Sequence, residues 1–562
     1  MSEPVSHHEE EVLGKAYDAR LMRRLLGYTR PYRGMTLGAL GLILASSLLQ
    51  LVGPLATAVA LDLFIRPDSG RISAASTVVK GVLLGHGIDP ARVQMQGLTV
   101  VALVYLAAVV LTFTVLYVQG FVMGLMGQYI MNDLRNEIFG HLQRLPLGFY
   151  DRNPIGRLLT RVTTDVDALN ELFTSGIVDI CGDLLLLAGI VGVLFWLDWR
   201  LAIAAFAIVP LLLLLTFWFR LKVRDSFRDV RVRIARINAF LQEHITGMAV
   251  IQLFNREDRA RAEFGAINDA HRAANVRSIF YYAVFFPGVE LISTIGIGLL
   301  LWIGGGRVIQ GAVSLGALFA FLQYAQRFYQ PLSDLSEKYN ILQAAMASSE
   351  RIFRLLDTPV TLTSKPGAYA PRTVSGAIEF DQVRFSYVPE EPVLRGISFK
   401  VAPGETLAVV GHTGAGKSTL ANLLLRFYEV DSGAVKVDGV DVRDWELAPL
   451  RRSVAMVLQD VFLFAGTIAA NIRLGEPEID DAKLRWAASE VHALPFIERL
   501  PDGLATPVKE RGAGLSVGQK QLIAFARALA FDPRILILDE ATSSIDTETE
   551  QLIQQALERL LR

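Results

Sequence analysis

The chain has very little cysteine and almost no net charge. Cys181 is the one cysteine among 562 residues, and it lies inside an apolar run, so neither a disulfide nor a thiolate metal site can form within one chain. The formal net charge is −1, which argues against wholesale nucleic-acid binding, and we expect no nucleic-acid partner. The first 20 residues are polar and lack the apolar core of a cleavable signal peptide.

Long apolar segments are abundant in the first part of the chain. Hydrophobic residues make up 52% of the sequence, and they are densest before about Tyr339. A membrane-spanning helix needs about 20 mostly apolar residues. Six segments meet this requirement: 35–65, 97–126, 172–196, 201–221, 279–303 and 315–341. The pattern predicts six transmembrane helices, some of which continue into the cytosol.

The distribution of arginine predicts how these helices are oriented. Cytosolic loops of membrane proteins carry an excess of Lys and Arg. Arginines are concentrated in the connections after the second and fourth segments, and five more precede the first segment: Arg20, Arg23, Arg24, Arg30 and Arg33. We therefore expect the N-terminus and both connections in the cytosol. The short turns at 197–200 and near Arg307 are expected outside.

The second part of the chain has the pattern of an α/β domain. Residues 358–376 are rich in Pro, Thr, Ser and Gly, which predicts a linker. Beyond it, AIEFDQVRFSY alternates like a strand, and three apolar runs predict further strands: GETLAVVG, SVAMVLQD and ILILDE. Helical stretches separate these runs, so the order indicates a P-loop α/β core.

A glycine-rich loop follows the first of those apolar runs. The sequence GHTGAGKS matches G-x-x-x-x-G-K-[ST]. Gly411, Gly414 and Gly416 allow backbone N–H groups to curl around phosphates without Cβ clashes. Lys417 is predicted to reach the β- and γ-phosphates, and the Ser418 hydroxyl to bind Mg²⁺. The loop therefore predicts ATP and Mg²⁺ as cofactors.

Two strand ends supply the remaining candidates for the hydrolytic chemistry. ILILDE ends in two acids, and Asp539 is expected to hold Mg²⁺ directly or through water. Glu540 is then the predicted base, or the residue that orients the attacking water. Gln459 closes the strand of SVAMVLQD, where it can contact Mg²⁺ and that water.

The motif LSVGQK at 515–520 gives the chain a family resemblance. A glycine-centred loop that opens a helix ahead of ILILDE is the signature of ABC transporter ATPases. That family's usual loop is LSGGQ, so Val517 departs from it. The resemblance implies that Tyr387 stacks on adenine and that SSID, ending at Asp546, is the D-loop. The nucleotide-binding residues are then Tyr387, Gly411, Gly414, Gly416, Lys417, Ser418, Thr419, Ser516, Gly518, Gln519 and Asp546.

The membrane half extends the resemblance along the chain. Residues 149–169 and 253–264 are similar to the intracellular loops that carry coupling helices in bacterial ABC exporter half-transporters of the multidrug and lipid exporter group. The implied fold is an α-helical membrane domain of six transmembrane helices fused to an α/β P-loop ABC ATPase domain. The implied boundaries are 1–34 (N-terminus and elbow helix), 35–357 (membrane domain), 358–376 (linker) and 377–562 (ATPase domain). The implied location is a bacterial cytoplasmic membrane, with the ATPase domain in the cytosol.

One element of that family pattern does not occur in the sequence. The family places a switch histidine on a strand after the catalytic glutamate, but no histidine follows His492. The expectation is that the ATPase domain of the full protein continues beyond Arg562.

Each nucleotide motif occurs once, which bears on assembly. In the family, ATP lies between the P-loop of one ATPase domain and the signature loop of another. The resemblance therefore implies a dimer with a second half-transporter. Homodimer and heterodimer both stay open: Glu540 is intact, whereas a valine in the signature loop is familiar from exporters that pair with a different subunit.

Charged residues inside the predicted spans are candidates for the substrate path. Burying a charge in mid-bilayer costs about 2.5–3.5 kcal/mol on insertion scales, so these groups should face the helix bundle. They are Asp179, Asp183, Glu290 and Arg327. One hypothesis is an acidic cavity that favours cationic amphiphiles. The alternative, which the sequence favours, is structural: acids bonded between helices, with Arg327 as a partner.

The resemblance, together with these patterns, implies ATP-driven export of amphipathic small molecules, drugs or lipids, by alternating access in a dimer. Membrane lipid is the expected surrounding partner. A peptide or siderophore transporter on the same fold is one alternative. An ATP-gated channel or regulator, which controls a pore without pumping, is another.

Overall fold

The computed structural model describes residues 18–66, 71–86, 88–539, 551 and 554–556, without the side chains at 329, 330, 332–337 and 339. Contacts group the chain into two units, Met1–Gly140 with Leu159–Asp357, and His141–Leu158 with Thr358–Arg562. The short segment His141–Leu158 therefore packs with the second unit, although it lies between membrane helices in the sequence. The domain boundaries given above remain a prediction.

Ahead of residue 358, the regular structure of the described residues is helical. Their bounds are α1 Ala19–Gly27, α2 Arg33–Val59, α3 Ala74–Gly85, α4 Gln94–Leu142, α5 Leu147–Arg152, α6 Ile155–Val162, α7 Thr164–Glu171, α8 Ile177–Leu197, α9 Trp199–Phe206, α10 Val209–Thr246, α11 Met248–Leu253, α12 Glu257–Ile309 and α13 Leu315–Leu356. Single π-helical turns continue α2 at Ala60–Ile65 and precede α8 at Leu172–Gly176.

Several helices are long and apolar enough to cross a membrane. By length and composition, five helical stretches of the described residues qualify: Arg30–Ile65, Gln94–Leu142, Ile155–Leu197, Trp199–Thr246 and Glu257–Ile309. They contain the first five predicted spans, and the sixth predicted span lies in α13. The 53 residues of α12 extend about 80 Å at 1.5 Å per residue. This is far more than a bilayer requires, as the sequence predicted.

The described residues of the second unit form three small sheets and a set of short helices. The strands are β1 Ile378–Val388, β2 Glu391–Val401, β3 Ser432–Val437, β4 Val440–Asp441, β5 Val454–Val457, β6 Gly466–Thr467, β7 Pro507–Val508 and β8 Ile535–Leu538. The helices are α14 Lys417–Leu424, α15 Leu447–Arg452, α16 Ile468–Arg473, α17 Asp481–Glu490, α18 Leu494–Glu498 and α19 Val517–Ala530.

The largest sheet is antiparallel, and a separate parallel pair of strands ends near the predicted site. Strands β2, β1, β3 and β4 form an antiparallel sheet in that order, and β5 pairs in parallel with β8. The alternation of β1 buries Phe380, Val383 and Phe385 against a core that includes Leu423 of α14. Helix α19 is buried along most of its length in a second core with α16 and α17.

One predicted strand is absent from the described residues. The segment 405–410, predicted from its apolar run to be a buried strand, has no strand assignment, and each of its residues is exposed. Leu407, Val409 and Val410 have exposed fractions of 46%, 47% and 89%. An apolar run is typical of a parallel strand covered on both faces, but composition cannot show whether a ladder partner lies beside it. The prediction was therefore wrong for this segment.

Candidate functional site

The parallel pair β5–β8 brings two of the predicted catalytic strand ends together. Val457 is paired with Leu538 at the end of the ladder, and the N–H of Asp539 donates to the carbonyl of Val457 at 3.0 Å. Gln459 follows two residues after Val457. Since parallel strands present their carboxyl ends at one edge, the residues after both strands leave the sheet on the same side.

The P-loop turns sharply into α14 by means of two glycines in the left-handed region. Gly414 has φ 86° and Gly416 has φ 90°, backbone conformations that L-residues with a Cβ rarely adopt. The Lys417 ammonium group donates to the carbonyl of Gly411 at 2.9 Å. The loop is exposed from Gly411 to Ala415, so its backbone N–H groups at the start of α14 are accessible to a phosphate.

The predicted Mg²⁺ ligands lie next to one another. The Ser418 hydroxyl donates to a carboxylate oxygen of Asp539 at 2.8 Å, although 121 residues separate them in sequence. A hydroxyl and a carboxylate are the hard oxygen ligands that Mg²⁺ prefers beside phosphate oxygens. The donor set therefore fits the predicted ion.

Tyr387 lies over the start of α14 in contact with a second tyrosine. Its hydroxyl donates to the Thr419 hydroxyl at 3.2 Å, and its ring meets the Tyr428 ring edge to face with centroids 5.1 Å apart. The Tyr428 hydroxyl in turn donates to the carboxylate of Asp151 in α5. Burial, and then this hydrogen bond to a carboxylate, raise the pKa of Tyr428 well above its usual value.

The signature loop forms the N-terminus of α19. Ser516 and Gln519 make a reciprocal capping box: the Ser516 hydroxyl accepts from the Gln519 N–H at 3.2 Å, and the Gln519 side chain accepts from the Ser516 N–H at 3.0 Å. Gly518 is buried, whereas Val517 is 52% exposed. Such a cap satisfies two backbone donors of the first turn, so the loop is ordered with Val517 directed away from the core.

Two predicted site residues lie outside the described part of the chain. They are the catalytic candidate Glu540 and the D-loop residue Asp546. The strand that leads to Glu540 is described as far as Asp539, and their roles stay predictions.

The charged residues of the predicted spans fall into two groups, and the first group has partners on neighbouring helices. Asp183 of α8 forms an ion pair with Lys338 of α13, a partner that the sequence analysis missed. Arg327 instead donates to the backbone carbonyl of Gln50 in α2. Both residues therefore have structural partners on neighbouring helices, which is the pattern expected of charges held between helices.

Asp179 and Glu290 have a different environment. Both are exposed on the single chain, and neither forms an ion pair with another described residue. Of the four residues proposed for a substrate path, these two keep side chains open to a ligand.

A buried aspartate that the sequence analysis did not single out lies at the far end of α2. Asp62 is 1% exposed. Its carboxylate accepts hydrogen bonds at 2.8–3.0 Å from the Ser73 N–H, the Gly316 N–H and the hydroxyls of Ser76 and Ser314. It thereby joins the end of α2 to the beginnings of α3 and α13. The sequence signal was an acid within an otherwise apolar span.

Comparison with known protein families matches both halves of the chain. The model of the ABC transporter transmembrane region covers residues 37–332. The model described as ABC transporter, for the ATP-binding domain, covers residues 394–543. The two matches follow one another in the predicted order and confirm the predicted fold class, a helical membrane domain fused to an ABC ATPase domain.

Individual relatives extend over nearly the whole chain. An uncharacterised ABC transporter ATP-binding protein of Bacillus subtilis (strain 168), YknV, is 38% identical over 99% of this chain and 88% of its own length. A fatty acid ABC transporter ATP-binding/permease protein of Mycobacterium bovis (strain ATCC BAA-935 / AF2122/97) is 35% identical over 100% of this chain and 90% of its own length.

A solved structure agrees with this assignment. The structure of a bacterial Atm1-family ABC exporter with ATP bound is similar with a TM-score of 0.71 and 27% identity, over 97% of this chain and 90% of that one. With its P-loop, signature loop and membrane helices in the family order, this chain belongs to the ABC transporters and couples ATP hydrolysis to transport across a membrane.

Proposed function

We propose that the chain is one half of a dimeric exporter that moves amphipathic small molecules, drugs or lipids, out of the bacterial cytosol. The observation that carries this proposal is the nature of the ATP site. One chain presents two different half-sites, the P-loop at the start of α14 and the signature loop at the start of α19. Each of them is an exposed helix N-terminus suited to an anionic ligand.

Within the proposed site, each residue of this chain has a distinct task. The P-loop N–H groups and the Lys417 ammonium group bind the phosphates, and the Tyr387 ring supports the adenine. Ser418 and Asp539 would hold Mg²⁺, which supplies positive charge to the phosphate oxygens when it is bound. Gln459 and Glu540 orient the attacking water, and Glu540 accepts its proton. Ser516 of the partner's signature loop would close the site from the opposite side.

The proposed dimer follows because each chain has one P-loop and one signature loop, and in the family ATP lies between the P-loop of one chain and the signature loop of another. Nucleotide changes the equilibrium between two conformations only through its different affinity for each. An ATP held between two chains binds tightly when the ATPase domains are together and releases them after hydrolysis. This difference is what would drive alternating access.

The substrate class is proposed from a relative and from the membrane charges. The Mycobacterium bovis relative is named as a fatty acid transporter, and fatty acids are amphipathic. Because Asp183 and Arg327 are held by structural partners, the exposed acids Asp179 and Glu290 are the better candidates for contact with the headgroup of a cationic amphiphile, since carboxylates would repel the carboxylate of a fatty acid.

The direct test is transport in sealed proteoliposomes with ATP added outside. A fluorescent fatty acid and a cationic amphiphilic dye are supplied in parallel, with Glu540→Gln as the hydrolysis-deficient control. We expect ATP-dependent accumulation of at least one of them inside vesicles whose ATPase domains face outward. Flux that only dissipates an existing gradient would instead identify a channel, and ATP-driven efflux from the same vesicles an importer.

The role of the exposed acids needs a separate comparison. Asp179→Asn should change the preference between the dye and the fatty acid while leaving ATP hydrolysis intact. Asp183→Asn/Lys338→Gln is the matched control, since it removes a paired charge one helical turn away together with its partner. An unchanged preference in Asp179→Asn would remove this residue from the substrate path.

A further inference from the structure

One side of α12 carries an acid and an aromatic ring next to a proline, and it is here called the α12 acceptor face. It consists of Ala283, Phe286, Pro287 and Glu290, all of which are exposed on the single chain. Residues three, four and seven apart lie on one side of a helix, so these four form a continuous surface. The Cβ atoms of Phe286 and Glu290 are then about 5–6 Å apart.

Another side of α12 packs against α10. Phe285 is 1% exposed and stacks on Phe219 of α10 with ring centroids 3.9 Å apart. A Cβ added at Gly288 would lie 3.1 Å from a methyl carbon of Leu215 in α10. The Phe286 ring centre lies 5.5 Å from that of Phe285, yet Phe286 is 57% exposed. The packed side therefore holds the helix, and Phe286 stays open beside a buried pair of rings.

Pro287 leaves a backbone acceptor on the acceptor face without its usual helical donor. In an α-helix each N–H donates to the carbonyl four residues earlier, and proline has no N–H. The carbonyl of Ala283 therefore receives no bond from position 287. Helix carbonyls are directed towards the C-terminus, so this oxygen lies beside Pro287. In a membrane helix such an oxygen needs a donor from elsewhere.

Glu290 adds a negative charge to the same face. It lies near the middle of the predicted fifth span, 279–303, where acids are costly in lipid and almost always face the helix bundle or a water-filled cavity. Asp183 pairs with Lys338, whereas Glu290 forms no ion pair within the part of the chain that the structure describes. Its carboxylate is therefore available to a positively charged group that the described chain does not supply.

We propose that the α12 acceptor face binds the headgroup of a cationic amphiphile whose charged nitrogen carries an N–H, an organic ammonium. Glu290 neutralises the charge, the Phe286 ring contacts the cation, and the Ala283 carbonyl accepts a hydrogen bond from the N–H. Aromatic ring faces attract cations, and bonds between an ammonium and a carboxylate are among the strong hydrogen bonds of proteins. The proposal rests on the proposed export of amphipathic molecules and deepens it, because it names the chemistry of the headgroup.

The experiment measures equilibrium binding of rhodamine 6G, a cationic dye whose amino groups carry N–H. The purified protein is held in lipid nanodiscs without ATP, fluorescence anisotropy gives the Kd, and empty nanodiscs correct for dye in the lipid. Glu290→Gln, Phe286→Leu and Phe286→Tyr are compared with the unmodified protein. Phe280→Leu is the matched control: Phe280 is 59% exposed, but it lies six residues from Phe286 and hence on another side of α12.

We expect Glu290→Gln to raise the Kd by about tenfold or more, because the bound charge loses its hydrogen-bonded partner. Phe286→Leu should raise the Kd by about three- to tenfold, whereas Phe286→Tyr and Phe280→Leu should change it by less than about twofold. An unchanged Kd in Glu290→Gln, or equal effects of Phe286→Leu and Phe280→Leu, would overturn the proposal.

Competition between two surfactant cations tests the backbone acceptor. Dodecylammonium should displace the dye at about a third or less of the concentration that dodecyltrimethylammonium requires, because the second cation has no N–H to donate. Pro287→Ala should remove this preference, since its new N–H donates to the Ala283 carbonyl. A preference that persists in Pro287→Ala would contradict the role assigned to that carbonyl.

The same dye separates this proposal from the export function. If the unmodified protein transports the fatty acid but does not bind rhodamine 6G, the headgroup assignment is wrong and the exporter remains. If it binds the dye with the expected variant pattern but transports neither molecule, the headgroup site is supported and the export function is wrong.

Discussion

At the scale of single residues, the P-loop contains two glycines that are needed for different physical reasons. Both Gly414 and Gly416 have positive φ. A Cβ added at Gly416 would lie 2.8 Å from a methyl carbon of Leu394 and 3.1 Å from one of Val393, whereas a Cβ at Gly414 would meet nothing within 4 Å. Gly414 is therefore needed for its backbone alone, and Gly416 also for the space beside β2.

This difference predicts unequal effects of two alanine substitutions. Gly414→Ala should cost about 1–2 kcal/mol, the strain of a left-handed L-residue. Gly416→Ala should cost about 1–3 kcal/mol more, because its Cβ also displaces packed side chains. Thermal unfolding of the purified protein with and without ATP measures both costs. Equal losses of stability would contradict the packing role of Gly416.

The proposed stacking of Tyr387 on adenine can be tested by substitution. Tyr387→Ala should raise the KM for ATP by about tenfold with little change in kcat, because stacking of an aromatic ring on a base contributes about 1–3 kcal/mol. Tyr387→Phe is the control: it keeps the ring and loses the hydrogen bond to Thr419. ATP hydrolysis measured over a range of ATP concentrations distinguishes the two, and a large KM increase in Tyr387→Phe would assign the effect to the hydroxyl.

Residue-level prediction from the sequence identified one pair of distant residues that lie together. The P-loop and ILILDE predicted Ser418 and Asp539 as ligands of one ion, and their side-chain oxygens lie 2.8 Å apart; their binding of the ion stays a prediction. It failed for Asp62, whose donors lie 11, 14, 252 and 254 residues away. It also failed for Lys338, the partner of Asp183. Such pairs follow from helix packing, which one sequence does not encode in a readable pattern.

At the scale of elements, the length of an apolar run predicted secondary structure better than its composition did. Five predicted spans coincide with helices, because about 20 apolar residues in succession have few other uses. The run at 405–410 was too short for that argument, and its residues are exposed. Pro210, inside the fourth predicted span, lies in the first turn of α10 after a break at 207–208, where proline costs least.

The turn between α8 and α9 supplies a prediction about pH. The Asp198 carboxylate accepts from the Leu201 N–H at 2.9 Å and from both terminal nitrogens of Arg307, at 2.8 and 3.1 Å. Burial raises the pKa of Asp198, but these hydrogen bonds outweigh it and hold the pKa below its usual value.

A lowered pKa means that the folded state favours the ionised carboxyl. Its stabilisation is complete above the unfolded pKa of about 3.9 and is lost as the pH falls through the folded value. Asp198→Asn should therefore lower the unfolding temperature at pH 7, and the difference from the unmodified protein should shrink below about pH 4. Thermal unfolding from pH 3 to pH 7 measures this. A difference that is constant across that range would show that the charge is not its cause.

At the scale of the whole molecule, the ATP site predicts complementation between inactive chains. Lys417→Ala disables a P-loop and Ser516→Arg a signature loop, so either homodimer should be inactive. In a mixed dimer, one site combines both defects while the other pairs an intact P-loop with an intact signature loop. Random pairing should thus restore about a quarter of the normal ATP hydrolysis.

Co-purification of differently tagged chains isolates the mixed dimers, which should have about half of the normal activity because one of their two sites is intact. Two copies of Lys417→Ala carrying the two tags are the control and should remain inactive. No recovery in mixed dimers would show that each site is completed within one chain. Failure of the unmodified chain to pair with itself would indicate a different subunit as its partner.

The length of α12 has a mechanical consequence. A helix of 53 residues is a rod of about 80 Å, whereas the hydrocarbon core of a bilayer is about 30 Å thick. A bend of about 10° near the middle of such a rod displaces an end about 45 Å away by about 8 Å, by simple leverage. Pro287 interrupts the hydrogen bonding of α12 near its middle, which is where such a helix bends most easily. A modest angular change in the membrane would therefore become a displacement of several residue lengths in the cytosol.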